Sequence, residues 1–495
     1  MEEHALVEVP KKEASEAEGL ENGGGGATVD ERRCWPGSLI VEARRQVVMA
    51  LPLAFVTMVQ FLLQIASLAM VGHLGSLYFS SASISSSLCN VTGYIVLLGM
   101  ASGLETLCGQ AYGAEQYQKL GVYTQKATVA LLLVCIPLAF VWFYMEKLLI
   151  LILHDHAMAH EAGRYAVFLI PGLFGAAFLQ PLVKFLQSQS LVLPLLFGAA
   201  VTLCFHVLVC WLLIFKFSVG HIGAAISVSL SYWVNVFVLA LYIKVSSACK
   251  KTVAPLTTEA LDRIQDFLRL AVPSAVMICL EYWIFELLIL LSGLLPNPEK
   301  QASVLSICVY TLGLVYSMPY GLGAAASIRI SNALGAGRPR TSRSAVLVVI
   351  ILGVMDMLIV STNLYAFRHQ LGYAYSNDKE VILSTTKMVP LIALTSCTDA
   401  MQGVLSGVAR GCGRQHLGAY VNLGAFYLLG LPISVILGFY YHFGAIGLWI
   451  GILCGSTVQT ILLSIITALT DWEKQVENAK DRVIDKPTLN NGETV

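Results

Sequence analysis

Glu281, Glu286 and Asp399 lie in stretches that are otherwise almost entirely apolar. The segment at 271–294, AVPSAVMICLEYWIFELLILLSGL, is long enough to cross a bilayer and carries the first two of these acids. An ionisable group near the bilayer centre costs about 2.5–3.5 kcal/mol on insertion scales, so it needs a partner, a wet cavity or a bound proton. Carboxyls that face one low-dielectric cavity can load and release protons, and this is the chemistry that Glu281 and Asp399 suggest. Structural hydrogen bonding to a neighbouring helix is the alternative for each. Glu286 lies five residues beyond Glu281, about 140° around a helix. It therefore lines the same cavity only at its edge, or it contacts the other half of the chain. Asp356 sits mid-span in a later apolar run, and nothing in the sequence decides between function and structure for it.

Tyr282 and Trp283 follow Glu281 directly. Aromatic faces beside a carboxylate suit a flat organic cation through stacking and cation–π attraction. Packing or a lipid-facing position is the competing reading. Tyr310, Tyr316 and Tyr320 invite the same two readings. No nucleophile–base arrangement, CxxC pair or metal-ligand cluster is present, so neither enzyme chemistry nor a cofactor or metal is expected. The Gly/Ala-rich stretches 105–114 (ETLCGQAYGA) and 327–337 (SIRISNALGAG) read as loops at helix ends, where small residues allow close approach. Neither contains GxxxxGK[ST], so ATP-driven pumping by this chain is not expected.

The elements that must position these groups are membrane helices. The 495 residues are 56% hydrophobic and only 13% charged. A soluble domain carries about 25% charged residues. Net charge is +0, with no basic footprint for nucleic acid. About twelve apolar segments are long enough to span, near 47–70, 82–103, 127–152, 164–187, 193–216, 220–243, 267–292, 302–325, 344–367, 384–408, 418–440 and 443–468. The fold class expected is therefore all-α and integral to the membrane. Residues 1–43 read as a disordered tail without a signal peptide, 244–266 as a linker between two six-helix lobes (44–243 and 267–470), and 471–495 as a second charged tail. Lys and Arg concentrate in the first tail and in alternate loops, as at Lys119, Lys126, Lys250, Lys251, Arg338 and Arg340. The positive-inside rule then places both termini in the cytoplasm.

The two halves read as repeats. Ala50-Leu51-Pro52 matches Ala271-Val272-Pro273 at an offset of 221, and Ala111 to Ala114 matches Ala333 to Ala336 at 222. Pro171 matches Pro390, and Ile222-Gly223 matches Ile446-Gly447. An even number of helices per copy implies pseudosymmetry about an axis along the membrane normal, with a cavity between or within the lobes. Across the repeat, Gln60 stands opposite Glu281 and Gln180 opposite Asp399, so the first half carries amides where the second carries acids.

ETLCGQAYGA at 105–114, CLEYWIFELLILLSGLLPNP at 279–298, GAAASIRISNALGAG at 323–337 and TDWEKQ at 470–475 resemble the multidrug and toxic compound extrusion family, in its plant DETOXIFICATION branch. The resemblance runs from about residue 43 to 483. It implies twelve helices in two pseudosymmetric six-helix lobes, and efflux of organic compounds coupled to entry of protons or sodium. It also implies coupling acids in the second lobe at Glu281 and Asp399, with Glu286 a further acid, while Gln60 replaces a first-lobe acid. That favours protons. Ala333 stands where plant members usually carry Glu, and Tyr282 where Trp is commoner. The second change could alter substrate choice.

The combined expectation is a proton-coupled antiporter for small organic compounds, working as a monomer in the plasma or vacuolar membrane. Glu281, Asp399 and Glu286 would carry protons, and Tyr282, Trp283, Tyr310, Tyr316, Gln60 and Gln180 would line the substrate site. An uncoupled facilitator or a flippase of an amphipathic substrate is the alternative.

Overall fold

In lipid every backbone polar group must be satisfied within the protein, and long apolar segments meet this by forming helices. The computed structural model describes residues 36–152, 155–255, 264–375 and 379–483. Among these residues twelve helices are long and apolar enough to span a membrane. They are α1 (Pro36–Gly72), α2 (Ser76–Gly113), α3 (Tyr117–Phe143), α4 (His156–Ser188), α5 (Leu193–Lys216) and α6 (Ile222–Val245) in the first half. The second half contains α7 (Ile264–Ser292), α8 (Lys300–Gly335), α9 (Pro339–Ala366), α10 (Lys379–Cys412), α11 (Gln415–Tyr440) and α12 (Gly444–Ala468). A final helix, α13 (Trp472–Val483), follows.

Several boundaries differ from the sequence-based expectation, including the second span at Ser76–Gly113, the start of the fourth at His156 and the end of the eighth at Gly335. The third span begins at Tyr117 rather than near 127 and stops before Tyr144, after which Met145–Ile152 forms a separate short helix. Polar residues mark that break, where Glu146 pairs with His160 at 2.9 Å. The first helix begins at Pro36, inside the expected tail. Residues 472–483 are helical, not disordered, because Gln475, Val476, Ala479 and Val483 form a buried face and Asp471 caps the first turn. The Gly/Ala-rich stretches expected as loops are the last turns of α2 and α8. Residues 1–35, part of the linker (256–263) and 484–495 lie outside the described residues.

The repeat is visible in how the halves meet. Helix α2 runs antiparallel to α7, with Ser87 beside Glu286, Val91 beside Trp283, Gly99 beside Ala275 and Gly103 beside Ala271. Helix α1 runs against α8, with Ala54 beside Gly321 and Phe61 beside Gly313. The repeat offsets of 221 and 222 carry the Gly99–Ala275 pair onto Gly321–Ala54, which is the contact observed. Glycine is required at both places, because a Cβ on Gly99 would lie 2.7 Å from the Ala275 backbone.

At the end of the bundle that bears the termini, α2 and α8 close on each other. A Cβ on Gly335 would overlap the Gln110 backbone carbonyl, and one on Gly113 the Asn332 carbonyl. Backbone cannot yield to such an overlap as a flexible side chain can. Gly335→Ala is therefore expected to disfavour the closed end, read as faster alkylation of a cysteine placed at Gln110 in an otherwise unreactive background.

Candidate functional site

Helix α7 presents three faces. Cys279, Tyr282, Trp283 and Glu286 follow a three-and-four spacing and so share the face toward α2. Tyr282 packs with Ile95, Ile278 and Cys279. The Trp283 indole donates to the Val91 carbonyl at 3.1 Å. That carbonyl belongs to the π-helical turn Asn90–Tyr94, where the wider helix departs from the usual ladder. Glu286 accepts from the Ser87 hydroxyl at 2.7 Å. Of the two placements open to Glu286, contact with the first half is the one observed. A second face meets α11, where Asn422 and Tyr427 donate to the Met277 and Leu280 carbonyls at 2.7 and 3.1 Å.

Glu281 lies on the third face. Its Oε1 accepts from the Tyr316 hydroxyl at 3.0 Å, and that hydroxyl is 3.2 Å from Gln402 Oε1. Gln402 in turn donates to Ser406 at 3.0 Å. Tyr316 sits where α8 changes course, between the helical stretches Pro298–Val315 and Ser317–Gly335. Gln402 is one turn from Asp399 on α10. Asp399 is 9% exposed and makes no hydrogen bond among the described residues. It lines a recess between α8, α9 and α10 together with Tyr316. Tyr316 thus faces both acids, though the structure records no direct bond between them.

An unpaired carboxylate in an apolar interior is costly, and a bound proton or cation removes that cost. The arrangement can therefore exchange protons or hold a cation. A hydrogen bond to a charged group contributes about 1.5–3 kcal/mol. Removing the Tyr316 hydroxyl should loosen the tie between α7 and α8. Tyr316→Phe is expected to lower the initial transport rate in proteoliposomes about tenfold, since 1.4 kcal/mol corresponds to tenfold.

The other expected substrate-site residues scatter. Tyr310 is 41% exposed and lies 6.2 Å from the Phe61 ring across the α1–α8 boundary. The Tyr320 ring lies tilted against Tyr316, with centroids 6.5 Å apart. Gln60 is exposed and Gln180 half-buried, and neither makes a hydrogen bond among the described residues. No contact joins either amide to Glu281 or Asp399. The Trp283 indole is bonded to α2, while Tyr282 packs on Ile95 of α2 and stays in the neighbourhood of Glu281, Tyr316 and Tyr320.

A charged cluster escaped the sequence reading. Glu105 on α2 pairs with Lys184 on α4 at 2.6 Å and with Arg410 on α10 at 3.1 Å. All three side chains are at most 7% exposed. Thr106 donates to the Arg410 carbonyl at 2.5 Å. Nearby, Arg329 grips Glu42 through two bonds of 2.9 and 2.6 Å, and Gln46 reaches the Ala345 carbonyl. Both ion-pair clusters link the halves at the end bearing the termini. Arg410 lies eleven residues beyond Asp399, three turns along the same face of α10 and about 16 Å away. A lysine inside an apolar span was the available signal, but its partners are far away in sequence.

The MatE family pattern matches residues 52–212 and 273–436, one copy in each half. Protein DETOXIFICATION 10 of Arabidopsis thaliana is 51% identical over 447 residues, covering 90% of this chain and 92% of that protein. Protein DETOXIFICATION 12 of the same plant is also 51% identical over 447 residues, covering 90% of this chain and 93% of that protein. The crystal structure of the eukaryotic MATE transporter AtDTX14 superposes with a TM-score of 0.88 at 48% identity, covering 90% of this chain and all of that one (100%). An outward-facing MATE transporter of the MOP superfamily, at 16% identity, shares the fold with a TM-score of 0.78. With the two matched halves, these likenesses establish that the chain belongs to the multidrug and toxic compound extrusion family and is a twelve-span efflux transporter, not an enzyme.

Proposed function

We propose that the protein is a proton-coupled antiporter that exports organic compounds, with Glu281 and Asp399 as its coupling acids. The observation that carries this reading is the second-half site itself. Glu281 is tied to Tyr316, while Asp399 is nine-tenths buried and has no hydrogen-bond partner among the described residues. With both acids deprotonated, the second-half site is negative and attracts an organic cation. Protons arriving from the acidic side neutralise the acids and release it. Loss of the Glu281 charge weakens its bond to Tyr316 and frees α7 to bend. The first half offers Gln60 and Gln180 at the matching positions, and amides bind no proton at physiological pH. Glu286, held by Ser87, senses how the halves meet rather than sharing the Asp399 recess.

The Lys and Arg distribution supports cytoplasmic termini, in either the plasma or the vacuolar membrane. The ion pairs around Glu105 and Glu42 then close the cytoplasmic side in this conformation. The protein needs no second copy to complete the site, which favours a working monomer. The test is ethidium transport by the purified protein in liposomes under an imposed pH gradient. Accumulation against the ethidium gradient supports antiport. Flux that ignores the pH gradient favours the facilitator.

A further inference from the structure

The recess beside Asp399 contains a second acid. It is lined by Leu312, Val315, Tyr316 and Pro319 of α8, Asp356 and Val360 of α9, and Ser396 and Asp399 of α10. It has room for about one water molecule. Asp356 is half-buried, and its Oδ2 is shut off from solvent without any hydrogen-bond partner. Asp399 enters the same recess nine-tenths buried and equally without a partner. The recess thus gathers acceptors that ask for a proton or a water. No residue of α7 lines it. Tyr316 is common to the recess and to the Glu281 hydrogen bond.

We propose that Asp356 is a proton-relay residue that feeds Asp399 from the side of the second lobe, along a path separate from the substrate route. This rests on the antiport reading above. A proton on the Asp356 carboxyl passes through a water to Asp399, breaking one O–H bond as the next forms. The Tyr316 hydroxyl then hands its own proton to Glu281 and takes one from the Asp399 side, so one proton crosses with no net change at tyrosine. Val360 and Asn363 follow Asp356 at i+4 and i+7, a stripe of α9 that runs toward the end opposite the termini. Asn363 is exposed there. The titratable groups that face Asp356 are Asp399 from α10 and Tyr316 from α8, with Glu281 behind Tyr316. Helices α1 and α13 also pack on α9, but they place no titratable group in the recess.

The experiment measures gradient-driven ethidium transport in proteoliposomes for the wild type, Asp356→Asn and Asp356→Glu, over a range of pH on the proton-loading side. A relay matters most when protons are scarce. Asp356→Asn should fall tenfold or more near about pH 7.5 and recover to within about twofold of the wild type near about pH 5.5, where bulk protons reach Asp399 unaided. Asp356→Glu should stay close to the wild type. Wild-type rates for Asp356→Asn at every pH would overturn the relay and leave the antiport reading standing. An equal loss at every pH would overturn it too, by assigning Asp356 to packing. If wild-type flux ignores the pH gradient, the antiport reading itself fails. The relay is then judged by infrared titration of the protonated-carboxyl band that Asp399→Asn removes. A shift of its midpoint in Asp356→Asn supports a proton-sharing pair, and no shift overturns it.

Discussion

Asp399→Asn is expected to abolish pH-driven accumulation of ethidium while leaving the fold intact. Asparagine has nearly the size of aspartate but binds no proton at physiological pH. Asp399 has no hydrogen bond to lose among the described residues, so the substitution removes a charge and little else. One pH unit supplies about 1.4 kcal/mol per proton, enough for about tenfold accumulation. A membrane potential of 100 mV adds about 2.3 kcal/mol per charge. An uncoupled variant should reach only the ratio that the membrane potential sets, whatever the pH gradient. Glu281→Gln should behave alike, and it is the cleaner control for structure. Its amide oxygen can still accept from Tyr316, so the tie to α8 survives while the proton site is lost. If both variants accumulate ethidium with full pH dependence, the coupling site lies elsewhere.

Glu105→Ala should be among the most destabilising substitutions in the chain. It would leave Lys184 and Arg410 facing each other, at 1% and 7% side-chain exposure, with no counter-charge between them. Removing one partner of a buried ion pair costs about 3–5 kcal/mol, because the remaining charge stays desolvated. The loss also falls on the contact between halves, since Glu105 is the first-half group that holds Arg410. The unfolding midpoint in detergent should drop clearly further than for Glu42→Ala. Glu42 is just as buried, but its partner Arg329 is 20% exposed and regains water when released. Equal effects for the two variants would mean that the deeper burial of Lys184 and Arg410 adds nothing to the cost of losing their partner. Replacing all three charges, with Glu105→Leu, Lys184→Met and Arg410→Met, should recover stability, since apolar replacement of a complete buried ion-pair triad is often neutral.

The Gln60–Glu281 contrast was legible because it follows from a constant offset between two copies of one pattern. In the structure the same offset carries the Gly99–Ala275 contact onto the Gly321–Ala54 contact. The direction of Glu286 was half legible. Its five-residue spacing from Glu281 excluded a shared narrow face, but only the packing of α2 on α7 showed that it meets Ser87. Tyr282 and Trp283 looked like a cation-binding pair because they are adjacent to Glu281 in sequence. Adjacent residues on a helix point about 100° apart, and the turn that aims Glu281 at Tyr316 aims Trp283 at Val91 of the other half, while Tyr282 lies between the two directions.

The twelve spans, the duplication and the family could all be read from the amino-acid order alone. A bilayer demands long apolar helices, and a repeat conserves its spacing, so both are properties of the chain read in one dimension. The tertiary structure decided which charges meet. Glu105 finds its partners 79 and 305 residues away, and Asp356 finds the Asp399 recess across a helix boundary. Such meetings depend on helix rotation and crossing, which side-chain packing sets and hydropathy does not record.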